Sequence, residues 1–296
     1  MKVFHEKVAA ITGAASGMGR ALALALARER CHLALSDCNV LGLAQTVSAV
    51  TRIAPGLTVT SAAVDVSQRA DVHAWAAQVA AEHGRVNLIF NNAGVALSST
   101  VEGMSYDDLD WIVGINFWGV VHGTKAFLPH LKASGDGHVV NTSSVFGLFA
   151  QPGMGAYNAS KYAVRGFTDA LRQELDLMDC GVSATVVHPG GIRTNIARAS
   201  RVSPSVNGLL VRDAEQGRAE FEKFFITSAG QAAQAILAGV RANRRRVLIG
   251  PDARVADVMA RLLPAAYQAL VVRDTRRKRK RLLAEAATVI HQENAS

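Results

Sequence analysis

The run Thr12-Gly13-Ala14-Ala15-Ser16-Gly17-Met18-Gly19 constrains the fold more than any other part of the chain. Before it, Lys7 to Thr12 is short and apolar and reads as a buried strand. After it, Arg20 to Glu29 is an Ala/Leu stretch that reads as a helix. A strand that passes through a glycine-rich turn into a helix N-terminus forms a cradle for a pyrophosphate. Glycine lets the backbone come close, and the unpaired N–H groups at the positive helix end face the anion. The spacing is Gly-x-x-x-Gly-x-Gly, not the Gly-x-Gly-x-x-Gly of the better-known dinucleotide fold. A plain tight turn would use the same residues, but the flanking strand and helix favour the cradle.

The same alternation continues downstream. Short apolar runs near 7–12, 32–36, 58–64, 86–90, 138–142, 182–187 and 247–249 alternate with Ala-rich helical stretches. This predicts parallel strands joined by right-handed helical crossovers. The expected fold class is α/β: a single doubly wound, Rossmann-like parallel sheet with helices on both faces and a helical C-terminal extension. The 296 residues, 49% of them hydrophobic, suffice for one such core. We place the domain at residues 1–250 and the extension at 251–296. The first strand begins almost at once, leaving no room for a signal or transit peptide, and no apolar run is long enough to span a bilayer. Cys31, Cys38 and Cys180 are odd in number and lack pairing or metal-ligand spacing. They point to a reducing, cytoplasmic setting and to no metal site.

Tyr157 and Lys161 bring chemistry to this frame. Ala156 to Leu177 reads as a helix, so the two side chains share one face. A phenol beside an ammonium has its anion stabilised, which lowers its pKa from about 10. A tyrosine tuned in this way passes a proton to or from an alcohol oxygen. Such pairs also arise by chance on exposed helices, so the neighbours matter. Asn91-Asn92-Ala93-Gly94 follows the run Val86 to Phe90, and Asn116 lies in the helical stretch Tyr106 to Leu131. Ser144 closes the strand His138 to Thr142, thirteen residues before Tyr157.

With these motifs in order, and Pro189-Gly190 with Thr194 after them, the chain resembles the short-chain dehydrogenase/reductases over roughly residues 5 to 250. The resemblance implies hydride transfer between a nicotinamide and a secondary alcohol or its ketone. Asn116, Ser144, Tyr157 and Lys161 would be catalytic. Ser144, favoured over Ser143 by the spacing, would bond the substrate oxygen. Lys161 would tune Tyr157 and hold ribose hydroxyls, and Asn116 would hold a water in a proton relay unless it is merely a helix kink. Gly13, Ser16, Gly17, Met18 and Gly19 would line the cofactor, as would Asn92, Ala93 and Gly94. Asp65 with Val66 would meet the adenine, although Asp65 also suits a strand-end turn. Pro189, Gly190, Ile192 and Thr194 would flank the nicotinamide, with Thr194 anchoring its carboxamide.

Asp37 ends the second strand, twenty-four residues after Gly13. An acid there accepts hydrogen bonds from ribose hydroxyls and repels a 2′-phosphate, which favours NAD over NADP. Capping of the next helix is the alternative. The stretch from 192 to 228 should cover the cleft, with Ile196, Leu209, Leu210, Phe221, Phe224 and Phe225 among Arg198, Arg201 and Glu222. Phe146 and Met154 are expected to line the same cavity as substrate residues. Apolar walls favour a bulky lipophilic alcohol or ketone, although such residues also pack a lid down. His188 reads as a satisfied strand-end histidine more readily than as a substrate contact.

The charge is uneven. The whole chain carries +8, yet residues 241–281 alone carry thirteen Lys or Arg against Asp252, Asp257 and Asp274. Val255 to Val272 reads as an amphipathic stretch, with a stripe of Val255, Val258, Met259, Leu262 and Leu263 ahead of the bases Arg276 to Arg281. Asp257, Arg261 and Pro264 exclude a spanning helix. Peripheral contact with an anionic membrane is open to such a segment. We favour packing of the stripe on the body or a partner subunit with the charges solvated, and no motif supports nucleic-acid binding. A homodimer or homotetramer built on the stretches 106–131 and 156–177 follows from the resemblance. The alternative function is a non-catalytic dinucleotide-binding regulator of the same fold.

Overall fold

All five residues of β1 (Val8–Thr12) are buried. A strand covered on both faces reads as a continuous apolar run, which is the signature of a parallel sheet clothed by helices. The computed structural model describes residues 1–293. After β1 come α1 (Gly17–Arg28), β2 (His32–Asp37), α2 (Val40–Ile53), β3 (Val59–Ala63), α3 (Arg69–His83) and β4 (Leu88–Asn91). The chain then runs through β5 (Leu97–Ser98), α4 (Tyr106–Val113), α5 (Gly119–Ala133), β6 (Gly137–Thr142), α6 (Gly155–Met178) and β7 (Val182–Pro189). Next are β8 (Ile192–Arg193), β9 (Arg201–Val202), α7 (Ala214–Lys223), β10 (Thr227–Ser228) and α8 (Ala229–Arg241). β11 (Arg246–Ile249), α9 (Pro251–Leu262) and α10 (Tyr267–Glu293) complete it.

Seven strands form one parallel sheet in the order β11-β7-β6-β4-β1-β2-β3, at the positions expected. Ala10 stands opposite Ala34 on one side and Ile89 on the other. Successive side chains of β1 face opposite layers. Ile11 packs with Leu22 and Leu26 of α1 and Leu237 of α8. Ala10 packs with Trp75 of α3, Phe127 of α5 and Leu171 of α6. The chain builds outward from β1 to β3 and then returns to β4, so the order reverses between β1 and β4. Ligand crevices open at the carboxyl ends of strands at such a reversal.

Two long stretches differ from the sequence expectation. Tyr106 to Leu131 is not one uniform helix: a π-helical segment, Gly114–Trp118, separates α4 from α5, and Asn116 sits fully buried within it. The amphipathic stretch Val255 to Val272 is also broken. α9 ends before Pro264, whose ring cannot continue a helix, and α10 starts at Tyr267. Nor does its apolar stripe lie on the body: Val255, Val258 and Leu262 are exposed. The opposite face of α9 is the one held, through Ala253 and Ala256 against Val145 and through Asp257, which pairs with Arg246 at 3.0 Å. Small side chains allow that close approach where the larger ones do not fit. Among the described residues no helix is long and apolar enough to cross a membrane. The basic run is expected to reach Arg281, whose side chain lies outside the described residues.

Candidate active site

The cleft begins where β1 ends. Gly13 has φ +67°, and a side chain there would lie 2.9 Å from Ala93 Cα. Only glycine allows the loop to approach so closely. Thr12 Oγ1 accepts from the backbone N–H groups of Asn92 and Ala93, each at 3.0 Å, and Asn92 Nδ2 donates to Thr12 O at 3.0 Å. The two strand ends are thereby locked side by side. A side chain at Gly19 would collide with the Gly13 carbonyl, so Gly19 seats α1 against the turn rather than lining the cleft. Ser16, the N-cap of α1, makes no side-chain cap bond, unlike Asn39, which accepts from Gly42 at the start of α2. The first N–H groups of α1 therefore remain open to an anion, and this uncapped glycine cradle fits a dinucleotide pyrophosphate.

A cavity of about 360 Å³ lies over these strand ends. Gly13, Ser16, Gly17, Met18, Asp37 and Asp65 line one part of it, and Val66, Asn92, Ala93, Gly94 and Thr194 the rest. Cys38, Val64, Val95, Ile115, Asn195, Ile196 and Ala199 also reach it without having been singled out for it. For Cys38 and Val64, places beside strand ends could have signalled them. Asp37 Oδ2 accepts from Ala15 N–H at 2.9 Å and Oδ1 from Asn39 N–H at 2.8 Å. Asn39, not Asp37, caps the next helix. Asp65 does form the strand-end turn, bonding Ser67 N–H at 2.9 Å.

A second cavity, of about 240 Å³, adjoins the first, and Met18, Asn92, Gly94, Thr194 and Ile196 are common to both. Ser144, Tyr157 and Lys161 line it together with Pro189, Gly190 and Ile192. One helix delivers two of the four catalytic candidates, since Tyr157 and Lys161 sit four residues apart at the start of α6. Ser144 stands beside Tyr157 at the cavity wall, where its hydroxyl favours the phenolate, and Lys161 Nζ lies 5.8 Å from the Tyr157 ring centre. Lys161 Nζ also donates to the Thr142 carbonyl at 3.0 Å. The neighbouring serines part ways: Ser143 Oγ donates to the Lys161 backbone carbonyl at 2.7 Å, leaving Ser144 to Tyr157.

Burial alters the electrostatics expected from the sequence. It raises the Tyr157 pKa, while the Ser144 hydroxyl pulls in the opposite direction. Burial also lowers that of Lys161 to about 8. Desolvation disfavours the charged form of each, and the ammonium does not bring the phenol down in this state. Asn116 Oδ1 accepts from Val95 N–H at 2.8 Å, and Nδ2 donates to Val95 O at 3.0 Å and to Ser160 Oγ at 3.3 Å. Its place in the π segment supports the kink reading, and π segments often mark functional sites. His188 is a buried strand-end residue satisfied on one side only: its Nδ1 donates to Ser144 O at 2.8 Å, its Nε2 is buried without a partner, and burial lowers its pKa to about 4.

Residues 7–204 match the model of the short chain dehydrogenase family. The chain belongs to that family. A Mycobacterium tuberculosis protein named as oxidoreductase SadH is 47% identical over 273 residues, covering 92% of this chain and 96% of its own. The C alpha-dehydrogenase of a Sphingobium species is 35% identical over 210 residues, 70% of this chain and 68% of that one. Among solved structures, a short chain dehydrogenase/reductase from Burkholderia phymatum in complex with NAD superposes with a TM-score of 0.80. It is 33% identical, with coverage of 88% and 95%.

In this short-chain dehydrogenase, aromatic rings wall the inner cavity. Phe146, Phe149, Phe221, Phe224 and Phe225 line it, and Phe146 meets the Tyr157 ring edge-on at 6.1 Å. The covering segment is held by Arg198–Glu222 at 2.8 Å and by Arg201–Asp108 at 2.9 Å, with Arg201 over the Trp111 ring. Met154 does not join Phe146 in the cavity. It is buried against Ala96, Leu97 and Ile112 and faces an outer groove. Residues from beyond the expected boundary at 250 enter instead: Asp252 and Ala256 reach the inner cavity. Asp252 Oδ2 accepts from Gly191 N–H at 2.6 Å and so fixes the turn after β7. The signal was available, because Asp252 follows the carboxyl end of a parallel strand.

Proposed function

We propose that this chain is an NAD-linked oxidoreductase that interconverts a bulky lipophilic secondary alcohol and its ketone, with Tyr157 as general acid and base. One observation carries the reading: Tyr157 and Ser144, with Lys161 behind them, together line an apolar cavity that shares its lip with the dinucleotide cleft. When bound, the nicotinamide cofactor accepts hydride in alcohol oxidation or donates it in ketone reduction. In oxidation Tyr157 takes the hydroxyl proton, and in reduction it returns one to the ketone oxygen. Ser144 holds that oxygen as charge develops, a role typically worth a few kcal/mol. Lys161 supplies positive charge below Tyr157 and holds ribose hydroxyls. Thr194 orients the carboxamide from the lip common to both cavities.

Asp37 receives the adenosine ribose in this reading, with Asp65 and Val66 toward the adenine. The NAD-bound relative from Burkholderia phymatum supports that cofactor. Asn116 fixes the Val95 backbone beside Lys161 and assists its proton exchange. NADH absorbance across lipophilic secondary alcohols, with NAD⁺ and NADP⁺ in parallel, tests the proposal. Absence of turnover with every alcohol and ketone contradicts it.

We also propose a homodimer or homotetramer. Trp118 and Tyr162, beside and on the helices of the 106–131 and 156–177 stretches, are half-exposed aromatics, and Tyr106 and Leu177 are more exposed still. Self-complementary two-fold contacts are the commonest closure for such faces. A monomer by light scattering at micromolar concentration contradicts this. The free cysteines Cys31, Cys38 and Cys180 fit a reducing compartment such as the cytoplasm. The basic segment counts here as solvated charge, which co-sedimentation with anionic vesicles at physiological salt, lost on truncation after Asp274, would refute.

A further inference from the structure

The catalytic cavity has a larger neighbour. A groove of about 720 Å³ lies between the covering segment and α10. Gln151, Phe221 and Phe224 line both spaces, so the two meet at these side chains. Leu97, Val202, Leu210 and Val211 line the groove on one side. Leu270, Val271, Asp274, Thr275 and Lys278 of α10 line the other, at the spacing of a single helical face. The volume is three times that of the inner cavity, and the wall facing it is apolar near Phe221 and Phe224.

The covering helix is the second observation. α7 contains no buried residue, although Phe221 projects from its last turn. Phe224, just beyond, is 60% exposed. Phe221 packs only in part, against the cluster of Ala96, Leu97 and Met154, so α7 has little of the burial that normally holds a helix in place. α10 does touch this region, but through Lys278 over the Phe224 ring at 5.6 Å and Arg279 to Gly208 O at 3.2 Å. These contacts close the rim of the groove and leave its interior open.

We propose that inner cavity and outer groove form one binding site for a long aliphatic chain. The carbinol or ketone end sits at Tyr157, and the hydrocarbon tail passes Phe221 and Phe224 to lie between Leu210 and Val271. The tail supplies the apolar surface that α7 lacks and draws the covering segment down. This assignment rests on the alcohol/ketone reading above and narrows its substrate class from bulky lipophilic molecules to extended ones.

The test uses the full-length protein with NAD⁺ and methyl carbinols whose chains lengthen from butyl to dodecyl. kcat/KM is expected to rise between roughly twofold and fourfold per added methylene until the groove is filled. Leu210→Trp and Val271→Trp, on separate elements, are each expected to flatten that dependence by filling the groove. Turnover of the short carbinol with no gain from added methylenes overturns the groove and leaves the alcohol reading standing. So does a chain-length gain that both tryptophan variants retain, or a fused-ring alcohol that outperforms every chain. If no carbinol and no matching ketone reacts, the alcohol reading itself fails and this inference falls with it.

Discussion

His188 Nδ1 donates to the backbone carbonyl of Ser144 across 2.8 Å, linking the end of β7 to the residue that stands beside Tyr157 in the cavity. A carbonyl can only accept, so the neutral imidazole carries its proton on Nδ1. His188 does not line the cavity, which makes it a positioning residue. His188→Leu is expected to lower kcat about tenfold, the equivalent of ~1.4 kcal/mol, as Ser144 loses its anchor. Cofactor affinity should change little. Steady-state kinetics beside a cofactor titration separates the two, and an unaltered kcat would refute the role.

The same histidine sets an acid limit on stability. Burial lowers His188 to about 4 and His138 to about 3, both from 6.5. Above about 6.5 both imidazoles are neutral in either state, and the full stability is present. As pH falls below that value the unfolded chain binds protons that the folded chain refuses, so stability declines down to about 4 and then about 3. Melting temperature is expected to drop through this window. A flat profile from neutral pH to about 4 would contradict it.

Lys161 gives an alkaline limit on activity. Its pKa of about 8 means that the ammonium is lost as pH rises through that value. The kcat/KM for ketone reduction, which reports groups of the free enzyme, is expected to fall above about 8. Lys161→Arg keeps its charge at any working pH, so the residual activity of that variant should lack this limb. A limb that persists unchanged in the arginine variant would assign it elsewhere.

Much of this was legible before the structure, for specific reasons. Seven strands could be placed because parallel strands are buried on both faces and stand out as apolar runs. The glycine loop, Asn92, Ser144, Tyr157 and Lys161 follow strand ends or share a helix face, and the family resemblance that their order carries brought them into one site. Side-chain direction within the loop from 145 to 154 follows no period, which is why Met154 was placed in the cavity and faces the groove. Asp252 was assigned to an extension because pattern reading treated the last strand as an end rather than as one more carboxyl edge. The tuning of Tyr157 depends on desolvation, which no local pattern reports. The stripe on α9 was read correctly as apolar, but its small residues, not its large ones, proved to be the buried face.

Asp37 provides a test of cofactor choice. Its two oxygens hold the Ala15 and Asn39 backbone at the rim of the dinucleotide cleft. NAD⁺ is expected to be preferred over NADP⁺, and Asp37→Ala should shrink that preference by about tenfold or more, as repulsion of the 2′-phosphate disappears. Stronger activity with NADP⁺ in the unmodified protein would show the assignment to be wrong.

The central claim is that Tyr157 transfers the proton, and one substitution addresses it. Tyr157→Phe removes the hydroxyl beside Ser144 and keeps the ring against Phe146. Turnover of a lipophilic secondary alcohol that is active with the parent enzyme is to be followed by NADH absorbance, with NAD binding titrated on the same sample. The account predicts a loss of at least a hundredfold in kcat, with cofactor affinity close to unchanged. Near-normal turnover in the phenylalanine variant would contradict it.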